Sequence, residues 1–207
     1  SGIRFIQKNS SGLREIESGN DALILSANAL GILSKQMFGS AEKIVLVEGK
    51  KDCLFLEHTA KVMKQSSEIT KDFSGAKVEL LPVGGCPGVK DWINLKKHSE
   101  LGLITYVFLD SDRGSTSAPD TDNEIFINSL SSDSTVKEAF CTKKREVENY
   151  INQNLTGCTY GDFDDVKSIV PPVTNVAKNK LIDQFWVQMT SENINNAIKD
   201  IVKKIIN

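Results

Sequence analysis

The sequence predicts an α/β protein built on a parallel β-sheet with helices packed against its faces. Short apolar runs rich in β-branched residues alternate with longer segments whose apolar residues recur at helical spacing. The run LITYVFL at 103–109 is almost entirely apolar, as expected for a strand that is buried on both faces of a parallel sheet. Strands and helices that alternate at this spacing indicate βαβ units.

The first half of the chain predicts three strands after a polar lead-in. Residues 1–40 form this lead-in and contain one helical pattern, DALILSANALGILSKQMFG. KIVLV then predicts a strand, and KDCLFLEHTAKVMKQ predicts a helix because its apolar residues recur at helical spacing. The next elements in order are a strand (VELLPV, 78–83), a turn (GGCPG, 84–88), a helix (VKDWINLKKH) and the LITYVFL strand.

The second half of the chain is less regular. Residues 114–133 are rich in Ser, Asp and Gly and predict a long loop with at most a short helix. TVKEAF predicts a further strand, and two helices are expected at about 176–189 and 191–206. The predicted organisation is a lead-in (1–40), an α/β core (41–155) and a C-terminal helical extension (156–207).

Composition restricts the possible classes of protein. The chain has 207 residues and a formal net charge of −2, which argues against binding nucleic acid through overall basicity. Divalent cations held in an acidic pocket would reverse the charge locally. The four cysteines are scattered without a CxxC pair, so neither a zinc site nor a disulfide framework is expected. The sequence has no long apolar span or signal peptide, and we expect a cytoplasmic protein without a membrane segment.

Two acidic pairs follow predicted strands. Glu48 follows KIVLV, with Gly49 allowing a sharp turn and Asp52 placed in the first turn of the helix. Asp110 and Asp112 follow LITYVFL, and residues two apart at the end of a strand share one face. Taken singly, the first pair fits the N-terminus of any helix and the second fits an Asx-type turn.

Together the two pairs predict a metal centre. The carboxyl ends of parallel strands form the ligand-binding edge of an open sheet. Four carboxylates that meet there repel each other unless protons or cations neutralise them, and hard oxygen ligands suit Mg²⁺ or Mn²⁺. Two such ions support in-line hydrolysis of a phosphodiester bond.

The three motifs VLVEGKKD, VGGCPG and VFLDSDRG resemble the Toprim domain of topoisomerases, primases and several nucleases. The ExxxD form of the first motif, the lead-in LGILSKQMFGSAEKIVLVEG and the later REVENYI are similar to the nuclease half of OLD (overcoming lysogenization defect) proteins and related anti-phage Toprim proteins. The resemblance covers roughly residues 25–155 and implies a Toprim-like, Rossmann-type parallel sheet.

The resemblance also implies roles for individual residues. It implies Glu48 as a metal ligand or general base and three further metal ligands, Asp52, Asp110 and Asp112. The late acidic position of the family falls on Glu148 or Glu146, with Glu148 favoured because it belongs to the ENY triplet.

Other positions are assigned more loosely. Ser111 is a candidate donor to a ligand, and Gly85 either admits a phosphate or simply forms a turn. OLD-type nucleases use a C-terminal lysine to stabilise charge on the phosphate, and the candidates here are Lys178 and Lys180.

The resemblance implies partners that the chain does not contain. OLD proteins carry an ATPase domain before the Toprim half, yet no GxxxxGK[ST] loop occurs in this sequence, so we expect the ATPase upstream. We also expect a nucleic-acid substrate, with DNA favoured over RNA, and a homo-oligomer in the full-length protein. The alternatives are a stand-alone RNA-processing Toprim nuclease, a topoisomerase or primase fragment, and a non-catalytic Mg²⁺-binding signalling or interaction domain.

Overall fold

A computed structural model of the protein describes residues 4–8, 14–18, 38–170 and 181–207. Its strands are β1 (Arg4–Lys8), β2 (Arg14–Ser18), β3 (Lys43–Val47), β4 (Val78–Pro82), β5 (Ile104–Leu109) and β6 (Val136–Cys141). Its helices are α1 (Lys50–Gln65), α2 (Gly85–Asn94), α3 (Lys97–Glu100), α4 (Asp122–Ser129), α5 (Gln153–Thr156), α6 (Val166–Ile169), α7 (Leu181–Gln184) and α8 (Asn196–Ile206).

The central sheet has four parallel strands in the order β4-β3-β5-β6. This sheet, flanked by helices, confirms the predicted α/β class. Strands β1 and β2 pair with each other as a separate antiparallel ribbon, which the sequence did not predict. The helix predicted from DALILSANALGILSKQMFG lies almost entirely outside the described residues.

The core consists of two apolar layers, one on each face of the sheet. Alternate residues of β3 point to opposite faces, so that Val45 and Val47 enter one layer and Ile44 and Leu46 enter the other. The layer on the α1 side also contains the C-terminal helices, and the layer on the other side contains residues of α2 and α4. Both faces are covered, which explains why the strands read as continuous apolar runs.

The C-terminal residues pack directly on α1. Trp186 stacks on Phe55 with ring centroids 4.2 Å apart, and its indole N–H donates to the Phe55 carbonyl at 3.0 Å. Ile198 and Val202 of α8 are fully buried in the same layer. The segment predicted as a helical extension therefore completes one side of the core.

Three predicted helix boundaries differ from the structure. The second helix begins at Gly85, inside the predicted turn, because Pro87 fits a first helical turn without needing a partner for an N–H. In the region predicted as a helix at 176–189, the described part contains only α7 and a 3₁₀ turn, Trp186–Gln188. The last helix begins at Asn196 instead of 191, since the Asn195 side chain caps it by accepting from the Ala197 N–H at 2.9 Å.

No helix within the described residues combines the length and the apolar character that a membrane span requires.

We expect the substitution Lys43→Met to destabilise the protein by about 2 kcal/mol. The Lys43 ammonium donates to the carbonyls of Ile205 and Ile206 at 2.9 Å each. These carbonyls end α8 and lack intrahelical partners, and a cation there also interacts favourably with the helix dipole. Urea unfolding measures the effect, with Lys61→Met on the exposed side of α1 as the control. Equal unfolding midpoints for the two variants would show that Lys43 does not stabilise α8.

Candidate metal centre

The acidic residues singled out in the sequence lie at the carboxyl edge of the parallel sheet. Glu48 directly follows β3, and Asp110 directly follows β5. These strands are neighbours at the centre of the sheet, with β4 beyond β3 and β6 beyond β5. The chain therefore changes winding direction between β3 and β5, which is where open α/β sheets bind ligands.

The turn between β4 and α2 holds Glu48 in place. The Cys86 N–H donates to Glu48 Oε2 at 3.1 Å. The N–H groups of Gly84 and Gly85 donate to the Glu48 carbonyl at 3.1 and 2.8 Å. Both glycines have a φ of 88°, which residues with a Cβ rarely adopt. Gly85 is therefore a turn residue that holds Glu48, and its second role, close approach of a phosphate, stays a prediction.

Gly88 allows α2 to lie close to the end of β4. A Cβ at this position would lie 2.0 Å from the Val83 carbonyl oxygen. This close approach brings the first turn of α2, including Cys86, against the Glu48 side chain. The glycine is therefore required by packing between backbone segments.

Asp52 serves the N-terminus of α1 and also lies within the acidic cluster. Its Oδ2 accepts from the Gly49 N–H at 2.8 Å, as in a capping box. The side chain is nevertheless buried, and burial raises the pKa of Asp52 to about 7, with Glu48 and Glu148 acting in the same direction. Both roles considered for Asp52, helix capping and membership of an acidic site, are compatible with this arrangement.

Asp110 and Asp112 have different environments at the end of β5. Burial, followed by the carboxylates of Asp52, Glu148 and Glu48, holds the pKa of Asp110 well above its ordinary value. Asp112 is exposed and has a φ of 54°, in the left-handed region. The two aspartates therefore do not form a symmetric pair, and Asp110 is the more central.

Asn123 ties these aspartates to α2 and was not identified from the sequence. Its amide nitrogen donates at 3.0 Å both to the Asp110 carbonyl and to Asp112 Oδ2. Its amide oxygen accepts from the Cys86 thiol at 2.7 Å. Asn123 lies in the first turn of α4, after a long loop rich in Ser and Asp, and no local motif marked it.

The Ser111 side chain points into the protein interior. Its hydroxyl donates to the Lys144 carbonyl at 2.7 Å, and its N–H donates to Thr142 Oγ1 at 2.8 Å. Only 1% of the residue is exposed. The expected role as a ligand donor therefore gives way to a structural one, since this hydroxyl joins the loop after β5 to the loop after β6.

Glu146 and Glu148 bring a third acidic element to the site, from the 3₁₀ turn that follows β6 (Val147–Tyr150). The two residues are only 7% and 3% exposed. One carboxylate oxygen from each lies within 4.8 Å of the other and of an oxygen of Asp110. The sequence favoured Glu148 over Glu146, whereas the structure places both beside Asp110.

The remaining residues of the ENY triplet position this turn. The Asn149 side chain accepts from the Glu146 N–H at 3.1 Å and donates to the carbonyls of Gly161 and Asp164 at 2.9 and 3.0 Å. The Tyr150 hydroxyl accepts from the N–H groups of Lys143 and Lys144, in the loop after β6. The triplet therefore supplies one acidic side chain, that of Glu148, and two residues that fix the backbone around it.

Within the described part of the chain, Lys167 of α6 lies against the acidic cluster. Its ammonium lies 2.6 Å from Glu146 Oε2 and 3.3 Å from Glu148 Oε1. Burial lowers the pKa of Lys167, but Glu148 and Glu146 outweigh burial and raise it above its ordinary value. The two lysines predicted for this role, Lys178 and Lys180, lie outside the described residues.

Four carboxylate oxygens of the cluster are buried and have no hydrogen-bond partner among the described residues. They are Glu48 Oε1, Asp110 Oδ1, Glu146 Oε1 and Glu148 Oε2. A buried carboxylate oxygen without a donor is costly unless the group is protonated or a cation binds it. The cluster contains hard oxygen ligands, and it therefore fits a divalent cation such as Mg²⁺ or Mn²⁺.

We expect the stability of the metal-free protein to fall as the pH rises from about 5 to about 8. Burial raises the pKa of four carboxyl groups in the folded protein: Glu48, Asp52, Asp110 and Glu148. A carboxyl group with a raised folded pKa contributes stability below its unfolded pKa and loses that contribution as the pH rises through its folded pKa. For Asp52, burial raises the pKa from its ordinary value of 3.8 to about 7.

Thermal unfolding in EDTA measures this effect, and added Mg²⁺ should remove most of the pH dependence. Asp52→Asn is the matched variant, because asparagine keeps an acceptor for the Gly49 N–H but does not ionise. It should flatten the pH profile in EDTA. A wild-type unfolding midpoint that stays constant or rises with pH in EDTA would contradict the assignment of raised pKa values.

Comparison with known proteins identifies part of the chain. Residues 40–112 match the family model described as Overcoming lysogenization defect protein-like, TOPRIM domain. The match covers a little over a third of the chain, including β3, β4, β5, Glu48 and Asp110. This segment is a Toprim domain of the OLD-like type, which confirms the resemblance of its motifs. No curated protein and no solved structure matched the chain.

Proposed function

We propose that this domain hydrolyses phosphodiester bonds of nucleic acid, with DNA favoured over RNA, and that it uses two Mg²⁺ or Mn²⁺ ions. The observation that carries the proposal is a set of four buried carboxylate oxygens, at the switch point of a Toprim-type sheet, that have no hydrogen-bond partner among the described residues. Three of their residues, Asp110, Glu146 and Glu148, each offer an oxygen within 4.8 Å of the others. Toprim domains are of the nuclease and primase type, and an acidic cluster of this kind suits phosphoryl chemistry.

In this proposal, Glu48, Asp110, Glu146 and Glu148 hold the cations. Bound divalent ions would lower the pKa of the attacking water and neutralise charge on the phosphate and the leaving oxygen. Glu48 is also the proposed proton acceptor, because burial and the Asp112 carboxylate raise its pKa above its ordinary value. Asp52 and Asp112 lie beside these ligands, and their carboxylates add to the negative electrostatic potential that attracts the cations.

A basic segment beside the cluster favours a polyanionic substrate, although the net charge of the chain is −2. Lys143, Lys144 and Arg145 follow β6 at the same edge of the sheet as the carboxylates. Lys143 is exposed, while the Lys144 ammonium is paired with Asp162 at 2.8 Å. A local basic segment next to a pocket that would hold divalent cations suits a phosphate backbone.

The test is cleavage of supercoiled plasmid, linear DNA and structured RNA in Mg²⁺ or Mn²⁺, with EDTA as the control. We expect cation-dependent cutting that is abolished by EDTA. A folded, cation-loaded protein that leaves all three substrates intact would contradict the proposal and favour an interaction domain. Cutting of RNA alone would favour an RNA-processing nuclease.

We further propose that the domain is the nuclease half of an ATPase–nuclease in phage defence, and that it acts as a homo-oligomer. The OLD-like match over residues 40–112 supports this context. The efficiency of phage plating on cells that express the full gene, compared with the same gene carrying Asp110→Asn, measures it. Equal plating on both strains would contradict a defence role for this site.

A further inference from the structure

The Lys167 ammonium contacts one carboxylate oxygen of Glu146 and one of Glu148, and leaves the other oxygen of each. Glu146 Oε2 and Glu148 Oε1 contact the Lys167 ammonium at 2.6 and 3.3 Å. The opposite oxygens, Glu146 Oε1 and Glu148 Oε2, are buried and have no hydrogen-bond partner among the described residues. Both glutamates are more than nine-tenths buried. Each carboxylate therefore has one oxygen neutralised by the lysine and one oxygen still lacking a partner.

The positive charge of Lys167 affects four carboxyl groups of the cluster. Burial is the largest influence on the pKa values of Glu48, Asp52, Asp110 and Glu148 and raises all four, while the Lys167 charge lowers each of them. An ammonium in this position does part of what a bound cation would do. It also repels any divalent ion that binds to the other oxygens of the same two carboxylates, because charges a few ångströms apart interact strongly in a partly buried site.

The Lys167 side chain has a route out of the cluster. Its side chain is 37% exposed, so the ammonium can turn towards solvent. The backbone of α6 stays anchored, because Val166 is fully buried and the preceding turn is held by the Asn149 amide. The side chain can therefore leave the glutamates without unfolding the helix.

We propose that the Lys167 ammonium occupies one of two cation positions in the cluster, so that a divalent ion enters the Glu146–Glu148 pair only as the ammonium moves away. This inference rests on the proposed cation-dependent function. The wild-type protein then binds one divalent ion tightly, near Glu48 and Asp110, and a second one weakly. Lys167 sets the difference between the two affinities.

The test is a Mn²⁺ titration followed by electron paramagnetic resonance of free Mn²⁺, at a pH above the raised carboxyl pKa values. We expect one tight and one weak site in the wild type. In Lys167→Met, which removes the charge and keeps most of the aliphatic chain, the dissociation constant of the weak site should fall by at least about tenfold. Lys167→Arg, which keeps the charge, should resemble the wild type.

A matched control is Lys64→Met, because Lys64 forms an ion pair with Asp72 on the surface of α1 at 2.8 Å. This variant should bind Mn²⁺ as the wild type does. Two equally tight sites in the wild type, or an unchanged or weaker second site in Lys167→Met, would overturn the inference. A wild type that binds no Mn²⁺ would instead overturn the proposed function itself.

A measurement on the wild-type protein keeps the inference testable if Lys167→Met does not fold. The side-chain ¹⁵Nζ signal of Lys167 reports its ion pairs directly. Saturating Mg²⁺ should shift this signal towards that of a solvated lysine. A signal that does not change while Mg²⁺ binds would show that the ammonium stays on the glutamates, contrary to the inference.

Discussion

Asp110→Asn is expected to reduce the rate of phosphodiester cleavage by at least about 10³-fold, equivalent to about 4 kcal/mol of transition-state stabilisation. Asp110 lies at the centre of the cluster, with one buried oxygen that has no hydrogen-bond partner among the described residues. Asparagine has almost the same shape but is a much weaker ligand for a hard cation. The loss should therefore arise from weaker cation binding and not from a disrupted fold.

The same substitution should stabilise the metal-free protein at high pH. Burial and the neighbouring carboxylates hold the pKa of Asp110 well above its ordinary value, so ionising it in the folded state is costly. In EDTA above neutral pH, Asp110→Asn should unfold at a higher temperature than the wild type. The control for both measurements is Asp91→Asn, on the exposed side of α2. Wild-type cleavage by Asp110→Asn, or a lower unfolding temperature in EDTA, would contradict the assignment.

Gly88→Ala is expected to destabilise the protein by about 3 kcal/mol, even though alanine is the better helix former. The added Cβ would lie 2.0 Å from the Val83 carbonyl oxygen, which is backbone and cannot move without shifting β4 or α2. A shift of α2 would also displace the Cys86 N–H from Glu48 Oε2. We therefore expect weaker cation binding as well as lower stability.

Urea unfolding and Mn²⁺ titration measure these two effects of Gly88→Ala. The control is Gly114→Ala, because a Cβ at Gly114 would meet no described atom within 4 Å. Its free energy of unfolding should stay within about 0.5 kcal/mol of the wild type. If the two variants were equally stable, the close approach of α2 to β4 would not limit the choice of residue at position 88.

Much of the sheet could be predicted from the sequence because local patterns determine it. The apolar runs of β3 and β5 are buried on both faces, and the acidic residues follow them directly, so Glu48 and Asp110 could be placed at one edge. The C-terminal boundaries were less predictable. The start of α8 is fixed by the Asn195 cap, a local signal that apolar spacing alone overlooks. The stacking of Trp186 on Phe55 is a tertiary contact, and contacts of this kind leave little local signal.

The partners of the acidic residues were also beyond local sequence patterns. Lys167 reaches Glu146 and Glu148 because the Asn149 side chain holds the turn before α6 against the loop after β6. Such a contact joins segments that share no motif or spacing, so the sequence did not mark Lys167 as a neighbour of these glutamates. Asn123 was missed for the same reason, since its partners come from the ends of β5 and the start of α2.

The most direct measurement of the central claim is the anomalous scattering of Mn²⁺ in crystals of the wild-type protein. We expect an anomalous peak about 2.0–2.4 Å from an oxygen of Asp110, with a second carboxylate from Glu48, Glu146 or Glu148 also coordinated. This result would show that the strand-end carboxylates form a divalent-cation site. Well-ordered carboxylates without a peak at saturating Mn²⁺, or a peak only elsewhere on the protein, would contradict the account.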